Sequence, residues 1–268
     1  MINTQYLSEL KEPVSAVKFG QKGTDVRRIQ EWINLRRFYD TSWSLRISID
    51  GDFGSATDTA VKQFQYHLGL EVDGIVGILT WRELVRPMRD AFDTIPFCNN
   101  DDLRNRVVGY ARQQERSKPT EINSNLGPWV RAYMNGREGE SWCAAFVETV
   151  LDQAYSSLGI SYKDYFPDPS YYSCDRILQY ARINNRLVEK DDLLNGLYVP
   201  QKGDLFLLMN PEDSSDATHV GFVIDCAATT ITTIEGNACD QTGPANSGEV
   251  CRYSRDYKNH LIYIVKLL

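Results

Sequence analysis

The first part of the chain places its apolar residues at helical spacing. Val26, Ile29 and Ile33 form one apolar stripe, and a second stripe runs through residues 60–68. Apolar residues three and four positions apart lie on one face of an α-helix. Glycine-rich turns separate the two stripes, so this region is predicted to be a short bundle of helices.

The turns of this region contain an internal repeat. Asp50-Gly51 begins the unit DGDFG and Asp73-Gly74 begins the unit DGIVG, and a threonine follows each Asp by seven residues. An Asp-Gly pair with a second glycine three residues later is typical of tight turns in which glycine takes a positive φ. By itself the repeat predicts turns and no ligand.

The pattern changes in the second part of the chain. Helical spacing is found at 106–115, 143–156 and 174–184. Short strands separated by turns are predicted at 204–209, 219–225, 230–235, 250–253 and 261–265. Helices followed by antiparallel strands indicate an α+β domain. Residues 89–105 interrupt the periodicity with Pro96 and an acidic polar cluster. The predicted organisation is therefore a domain over 1–88, a linker over 89–105 and a domain over 106–268.

Composition and charge narrow the class of protein. The chain has 268 residues, enough for two cores, and its net charge of −7 argues against a nucleic-acid-binding protein. The N-terminal residues lack the basic and apolar pattern of a signal peptide, so we expect synthesis in the cytoplasm without one. Most of the six cysteines are then expected to be thiols, although one bridge among Cys226, Cys239 and Cys251 stays open.

Two cysteines are candidate nucleophiles. Cys143 begins an apolar helical stripe that continues through Phe146 and Val150, and Cys174 begins a similar stripe with Ile177. A thiol in the first turn of a helix lies near the positive end of the helix dipole, which favours the thiolate. The alternative for either residue is an inert core cysteine. The residues alone do not separate the two candidates.

A histidine, an acid and an amide could complete a cysteine site. His219 begins an apolar strand after a polar loop, where its ring can reach a cleft. Glu235 and Asn237 are two residues apart on the next strand, so strand alternation places them on one face. An acid beside the histidine can fix its tautomer, as nucleophile–base pairs require. The alternatives are a structural histidine and a solvated strand end.

The first domain resembles the peptidoglycan-binding domain 1 family. The resemblance is carried by GQKGTDVRRIQ at 20–30, DGDFG at 50–54, AVKQFQ at 60–65 and GLEVDGIVGILTW at 69–81. It implies a three-helix module that holds a hydrolase on the bacterial cell wall.

The second domain resembles the CHAP family, the cysteine, histidine-dependent amidohydrolases and peptidases of the papain-like NlpC/P60 group. The matching segments are WCAAFV at 142–147, GDLF at 203–206, HVGFV at 219–223 and IEGN at 234–237. The resemblance implies a papain-like domain whose N-terminal helices pack on an antiparallel sheet. It selects Cys143 over Cys174 as nucleophile and His219 as base. It assigns Glu235 to orient the histidine, and Asn237 to support that geometry or the oxyanion.

No metal or other cofactor is expected. The chain has three His residues and neither an HExxH nor a CxxC motif, which argues against a zinc site. Some members of the CHAP family carry an acidic calcium site just before the nucleophile. The corresponding stretch here, NGREGE at 135–140, lacks the spaced Asp ligands of such a loop.

The resemblances together predict a peptidoglycan hydrolase that cleaves an amide bond of the stem peptide or cross-link through a cysteine thioester. It would be an endolysin or an antibacterial effector toxin that acts on the wall, in the periplasm or outside, after lysis or delivery. The alternatives are an amidase on a soluble peptide conjugate and a non-catalytic wall-binding protein. We expect a monomer that contacts peptidoglycan but neither nucleic acid nor membrane. An effector would also have an immunity protein or delivery machinery as a partner.

Overall fold

The computed structural model describes residues 4–36, 46–98, 100–162, 172–239, 248–258 and 261–267. The helices are α1 (Tyr6–Leu10), α2 (Thr24–Arg36), α3 (Ser55–His67), α4 (Ile78–Leu84), α5 (Arg86–Phe92), α6 (Leu103–Ser117), α7 (Pro128–Tyr133), α8 (Cys143–Ser156), α9 (Cys174–Ile183) and α10 (Lys190–Leu194). The strands are β1 (Leu187–Val188), β2 (Leu205–Asn210), β3 (Asp213–Cys226), β4 (Thr230–Cys239), β5 (Gly248–Asp256) and β6 (Ile262–Val265). Within these ranges, none of the helices has the length and apolar character needed to cross a membrane.

Two buried glutamines hold the repeated turns of the N-terminal module. The Gln30 side chain donates a hydrogen bond to Asp50 Oδ1 and accepts one from the Gly51 N–H, both at 2.8 Å. Gln65 makes the same two bonds to the second Asp-Gly pair, at 2.8 and 2.9 Å. A buried amide needs such partners, so each glutamine fixes one turn against the helix that carries it. The sequence repeat is therefore also a repeat of hydrogen bonds.

The repeated glycines have two different roles. Gly51 and Gly74 have φ values of 73° and 74°, which confirms the predicted positive φ in the Asp-Gly turns. The second glycines, Gly54 and Gly77, have φ values of −85° and −86°. They are extended N-cap residues of α3 and α4, where any residue can adopt the backbone. A positive φ at these two positions is therefore a wrong prediction.

The second part of the chain is built on one antiparallel sheet with the strand order β1-β6-β2-β3-β4-β5. Helix α8 packs against β3 and β4, and α9 packs against β3. The predicted mixture of helices and antiparallel sheet is confirmed. Strand β3 begins at Asp213 and not at 219, because a tight turn after Asn210 closes a β2–β3 hairpin where a polar loop was predicted.

The segment predicted as a linker is partly helical. Helix α5 extends to Phe92, and its last carbonyls are bound by side chains of the second domain. Gln114 and Gln153 donate to the Ala91 carbonyl at 3.0 and 2.9 Å, and Gln113 donates to the Asp90 carbonyl at 2.7 Å. The carbonyls at a helix C-terminus need such donors. Residues 89–92 are thus a docked helix end and not a free tether, while the domain boundaries themselves stay a prediction.

Aromatic side chains join the two parts of the molecule into one core. Trp32 of α2 meets Trp129 of α7 edge to face, with ring centroids 6.1 Å apart. Trp129 stacks on Tyr133, which also contacts Phe92 of α5. Because such rings bury large apolar areas, this contact fixes the N-terminal module against the second domain.

A buried ion network crosses the same boundary. Arg131 Nε lies 2.8 Å from Glu9 Oε1, and its Nη2 lies 2.7 Å from Glu31 Oε2. Both carboxylates are almost fully buried. Burial lowers the pKa of Arg131, but its hydrogen bonds to the two carboxylates hold that pKa above its ordinary value. The guanidinium therefore pairs with two carboxylates that belong to the other module.

Replacing Arg131 is expected to destabilise the whole protein. Arg131→Ala leaves Glu9 buried without its cation and leaves Glu31 only the more distant Arg27, 3.8 Å away. Breaking a buried ion pair in this way costs about 3–5 kcal/mol. Urea denaturation of the full chain measures the free energy of unfolding. Arg252→Ala is the matched control, because it removes a largely exposed pair with Glu115 and should cost at most about 1 kcal/mol. Equal losses in the two variants would contradict this account.

Candidate active site

The start of helix α8 is fixed by a buried tryptophan. Trp142 is the N-cap residue, and its ring stacks on Tyr133 with centroids 5.3 Å apart. Its Nε1 donates to Glu121 Oε2 at 3.2 Å, so the polar edge of the ring is also bound. The next residue, Cys143, is therefore held in the first turn of the helix, as predicted from the apolar stripe.

Cys143 is 5% exposed and has polar neighbours on several sides. The ring of His219 and the backbone N–H of Ala144 both lower the pKa of its thiol. The sulfur also lies 3.7 Å from the sulfur of Cys174, the first residue of α9. The two cysteines that the sequence alone could not separate thus lie side by side, and it is the pKa of Cys143 that His219 lowers.

The pairing of β3 with β4 brings His219 and Glu235 together. Gly221 is directly opposite Glu235, and His219 lies two residues before Gly221, so the three positions share one face of the sheet. A Cβ atom on Gly221 would lie 2.9 Å from Glu235 Cγ, which is too close. Because glycine occupies this position, the Glu235 side chain can pass over it, and Oε2 reaches His219 Nε2 at 2.9 Å.

Glu235 is fully buried but has several donors. Arg255 binds it with two parallel bonds of 2.6 Å, and the Thr233 hydroxyl also donates to it. The Arg255 guanidinium lies over the rings of Phe206 and Tyr253. Burial raises the pKa of Glu235, but the bonds from Arg255 and His219 outweigh it, so the pKa lies below its ordinary value. The carboxylate therefore remains charged beside the imidazole.

The electrostatics favour an ion pair between Cys143 and His219. The hydrogen bond from Cys174 lowers the pKa of Cys143; burial raises it, and His219 lowers it again, which leaves the pKa well below its ordinary value. Burial lowers the pKa of His219, but the bonds to Cys143 and Glu235 raise it to about 9. These opposite shifts are those of a thiolate beside an imidazolium.

The arrangement contains the three parts of a nucleophile site. Cys143 can attack a carbonyl carbon, His219 can transfer the proton, and Glu235 holds the far ring nitrogen of the histidine. The backbone N–H of Cys143 lies at the positive end of α8, where a developing oxyanion would be stabilised.

Asn237 does not share the arrangement of Cys143, His219 and Glu235. Between Glu235 and Ala238 the β4–β5 register shifts by one residue, so β4 contains a bulge, and Asn237 has a φ of 53°. The bulge interrupts the alternation that was predicted to place Asn237 on the face of Glu235. Its Oδ1 lies against Gly248 of β5, and among the described residues it has no hydrogen bond to Cys143, His219 or Glu235. The predicted shared face is wrong, and any role in catalysis stays a prediction.

Sequence reasoning missed Arg255 and Thr233. Neither residue belongs to a segment that carries the family resemblance. The one signal was alternation: Thr233 and Glu235 are two residues apart on β4, and Arg255 lies two residues from Tyr253, the partner of Thr233 on β5. A cation at such a position would be expected only if Glu235 were already known to be buried.

The described ranges contain thiols but no cluster of candidate metal ligands. Cys98, Cys143, Cys174 and Cys226 are thiols, and the side chain of Cys239 lies outside the description. His, Cys, Asp and Glu side chains of the described ranges form no group of three or more that could hold a metal ion.

Comparison with known proteins identifies similar enzymes. The chain is 46% identical over 56 residues to N-acetylmuramoyl-L-alanine amidase CwlL of Bacillus licheniformis, a match that covers 21% of this chain and 16% of the amidase. It is 34% identical over 89 residues to the zinc D-Ala-D-Ala carboxypeptidase of Streptomyces albus G, covering 31% of this chain and 33% of the carboxypeptidase. It therefore spans a third or less of the length of these relatives.

One solved structure resembles less than a third of this chain, and one family model matches the N-terminal region. The crystal structure of the SleB N-terminal domain is 31% identical, covers 29% of this chain and 99% of its own, and has a TM-score of 0.26. Residues 22–84 match the family model "Putative peptidoglycan binding domain". The resemblance seen in the repeated turns is thereby confirmed, and the N-terminal module belongs to this peptidoglycan-binding family.

Proposed function

We propose that this protein is a cysteine-dependent peptidoglycan hydrolase that cleaves an amide bond of the stem peptide or cross-link. The observation that carries the proposal is the line of side chains from Cys143, whose pKa is lowered by His219, to the hydrogen bond between His219 and the buried, Arg255-bound Glu235. This line supports the CHAP-type, papain-like assignment of the second domain. An endolysin and an antibacterial effector are both compatible with this chemistry.

The proposed reaction is acyl transfer through a thioester. The Cys143 thiolate attacks the amide carbonyl, and the backbone N–H of Cys143 stabilises the oxyanion. His219 donates its proton to the leaving amine as the C–N bond breaks and the thioester forms. The neutral histidine then takes a proton from water, whose oxygen attacks the thioester. The C–S bond breaks and the product leaves as a carboxylic acid that loses its proton to solvent, which restores the thiolate and the imidazolium.

The wall is the proposed substrate because of the first module and its relatives. Residues 22–84 match a peptidoglycan-binding family, and two similar proteins are named as an N-acetylmuramoyl-L-alanine amidase and a D-Ala-D-Ala carboxypeptidase. Both names describe hydrolysis of amide bonds in wall material. A soluble peptide conjugate is a weaker candidate, since it would leave the wall-binding module without a role.

A groove beside the second repeated turn is the proposed wall contact. It encloses about 580 Å³ between residues 12–16 and residues 70–80. Val14, Ile78 and Leu79 line this groove and expose apolar side chains, and contiguous exposed apolar surface is typical of interaction sites. Sugar rings and peptide methyl groups of the wall would cover these side chains.

The nucleophile assignment predicts a large loss of activity. Cys143→Ala should lower the release of soluble fragments from purified sacculi by more than about a thousandfold, because the covalent step is lost. His219→Ala should have a similar effect, whereas Cys98→Ala, a change at an exposed thiol, should keep the activity. Mass spectrometry of the fragments identifies the bond that is cut.

Two results would contradict this assignment. One is a folded Cys143→Ala variant that retains activity. The other is loss of activity in EDTA that zinc restores, which would indicate the metal chemistry named for the Streptomyces albus G relative.

The pKa shifts predict the pH dependence of turnover. His219 must be protonated to donate to the leaving amine, so activity should fall as the pH rises through about 9. On the acid side, activity should fall only below the lowered pKa of Cys143. Glu235→Gln removes a charge that raises the pKa of His219, so the alkaline limit should move to lower pH. Glu115→Gln is the control, because Glu115 pairs with Arg252 away from this line. An unchanged alkaline limit in Glu235→Gln would refute the pairing.

The groove can be tested in the intact protein. Deleting the first module would remove Trp32 from the shared core, so surface substitutions are the cleaner test. The double variant Val14→Ser, Leu79→Ser should bind insoluble peptidoglycan more weakly and lose activity on sacculi, because tethering raises the local concentration of bonds. Turnover of soluble muropeptides should stay unchanged. Tyr66→Ser, an exposed site on α3 outside the groove, is the control. Wild-type binding by the double variant would show that this groove does not hold the wall.

A further inference from the structure

The sulfur beside the proposed nucleophile has no part in the mechanism given above. Cys174 is 8% exposed, and its sulfur lies 3.7 Å from that of Cys143, within the range of a sulfur hydrogen bond. Each cysteine is the first residue of its own helix, so two helix N-termini converge on one pair of sulfur atoms. A second thiol so close to a nucleophile either supports the thiolate or competes with it.

We propose that Cys174 is a positioning residue whose S–H donates a hydrogen bond to the Cys143 thiolate. The inference rests on the proposed function and adds to it a fourth side chain. The bond keeps Cys143 deprotonated at neutral pH and holds its sulfur between α9 and His219 before the substrate arrives. No proton is transferred from Cys174 during turnover.

The surroundings of the two sulfurs decide which one carries the charge. His219 lowers the pKa of Cys143, whereas the carboxylate of Asp175 raises that of Cys174. A cation favours a thiolate and an anion disfavours it. The pKa of Cys174 is raised, first by its bond to Cys143 and then by burial, so Cys174 stays a thiol and is the donor.

Helix α9 is fixed against the strand that carries the base. Asp175 Oδ1 accepts a hydrogen bond of 2.7 Å from the Ala217 N–H, two residues before His219. Ile177 and Leu178 of the same helix are buried in the main core. The Cys174 sulfur therefore has a defined position relative to both Cys143 and His219.

The elements packed around the pair carry other ionisable groups. They are His219 on β3, Glu235 on β4, Arg255 on β5, Asp175 on α9, Glu121 beside Trp142, and, further along α8, Glu148 and Asp152. All of them are unchanged in the variants below.

The test measures how fast Cys143 reacts with iodoacetamide as a function of pH, in the full chain under a phosphine reductant. Mass spectrometry of the peptide that contains Cys143 gives its alkylation separately from the other cysteines. In Cys174→Ala the midpoint of the alkylation profile should move to higher pH. At pH 6 the rate should fall by about tenfold or more, as expected for loss of a hydrogen bond to a charged group. Cys174→Ser keeps a donor and should restore much of the rate, and Cys98→Ala should match the wild type.

Three outcomes would overturn the inference. An alkylation midpoint that does not move in Cys174→Ala, even with a lower melting temperature, would show that Cys174 only fills space. Failure of Cys174→Ser to recover any rate would show that hydrogen-bond donation is not its role. Alkylation of Cys174 in preference to Cys143 in the wild type would show that the charge lies on the other sulfur. The measurement needs no peptidoglycan, so it stands even if the substrate proposal fails.

Discussion

The buried carboxylate of Glu235 is the constraint on which the rest of the site depends. A charge without water needs compensation, because an isolated ion in a protein interior is far less stable than a hydrated one. Arg255 supplies a full positive charge through two bonds, and His219 and Thr233 occupy further lone pairs. The imidazole is thus held by a group that cannot turn away without losing its own partners. The orientation of His219 therefore depends on Glu235, which is itself fixed by the donors that compensate its buried charge.

Two glycines allow this charge to lie where it does. Gly221 leaves room for the Glu235 side chain to cross β3, and Gly236 lets β4 approach helix α8, since a Cβ there would lie 2.5 Å from Phe146 Cβ. Phe146 is one turn after Cys143, so this close approach also sets the distance between the nucleophile and the strands. The bulge that follows Gly236 then turns Asn237 away. The positions of Cys143, His219 and Glu235 therefore depend both on close packing at the two glycines and on the charge of Glu235.

The sequence was most informative where chemistry and periodicity coincide. The helix that begins at Cys143, the strands that carry His219 and Glu235, and the Asp-Gly turns could all be predicted, because each has a local pattern with a physical cause. Arg255 could not, since its position depends on β5 pairing with β4 far along the chain. Asn237 was misplaced because strand alternation assumes a regular ladder, and a one-residue bulge reverses it. The helical residues 89–92 were not predicted, because prolines and acidic residues give no sign that glutamines of α6 and α8 will bind the carbonyls of α5.

The shared core changes how the two parts of the molecule can cooperate. On a flexible linker, a binding module raises the local concentration of substrate in every direction the linker allows. Here Trp32, Trp129, Tyr133 and Trp142 form consecutive ring contacts that reach from the first module to the residue before Cys143. Arg131 adds charge pairing to the same boundary. The module and the proposed nucleophile therefore keep a fixed relation, and under the proposed function a wall strand held by the module would meet Cys143 at a set distance and angle. In such a molecule the geometry of the core, and not the length of a tether, determines which bonds of a bound polymer reach the thiolate.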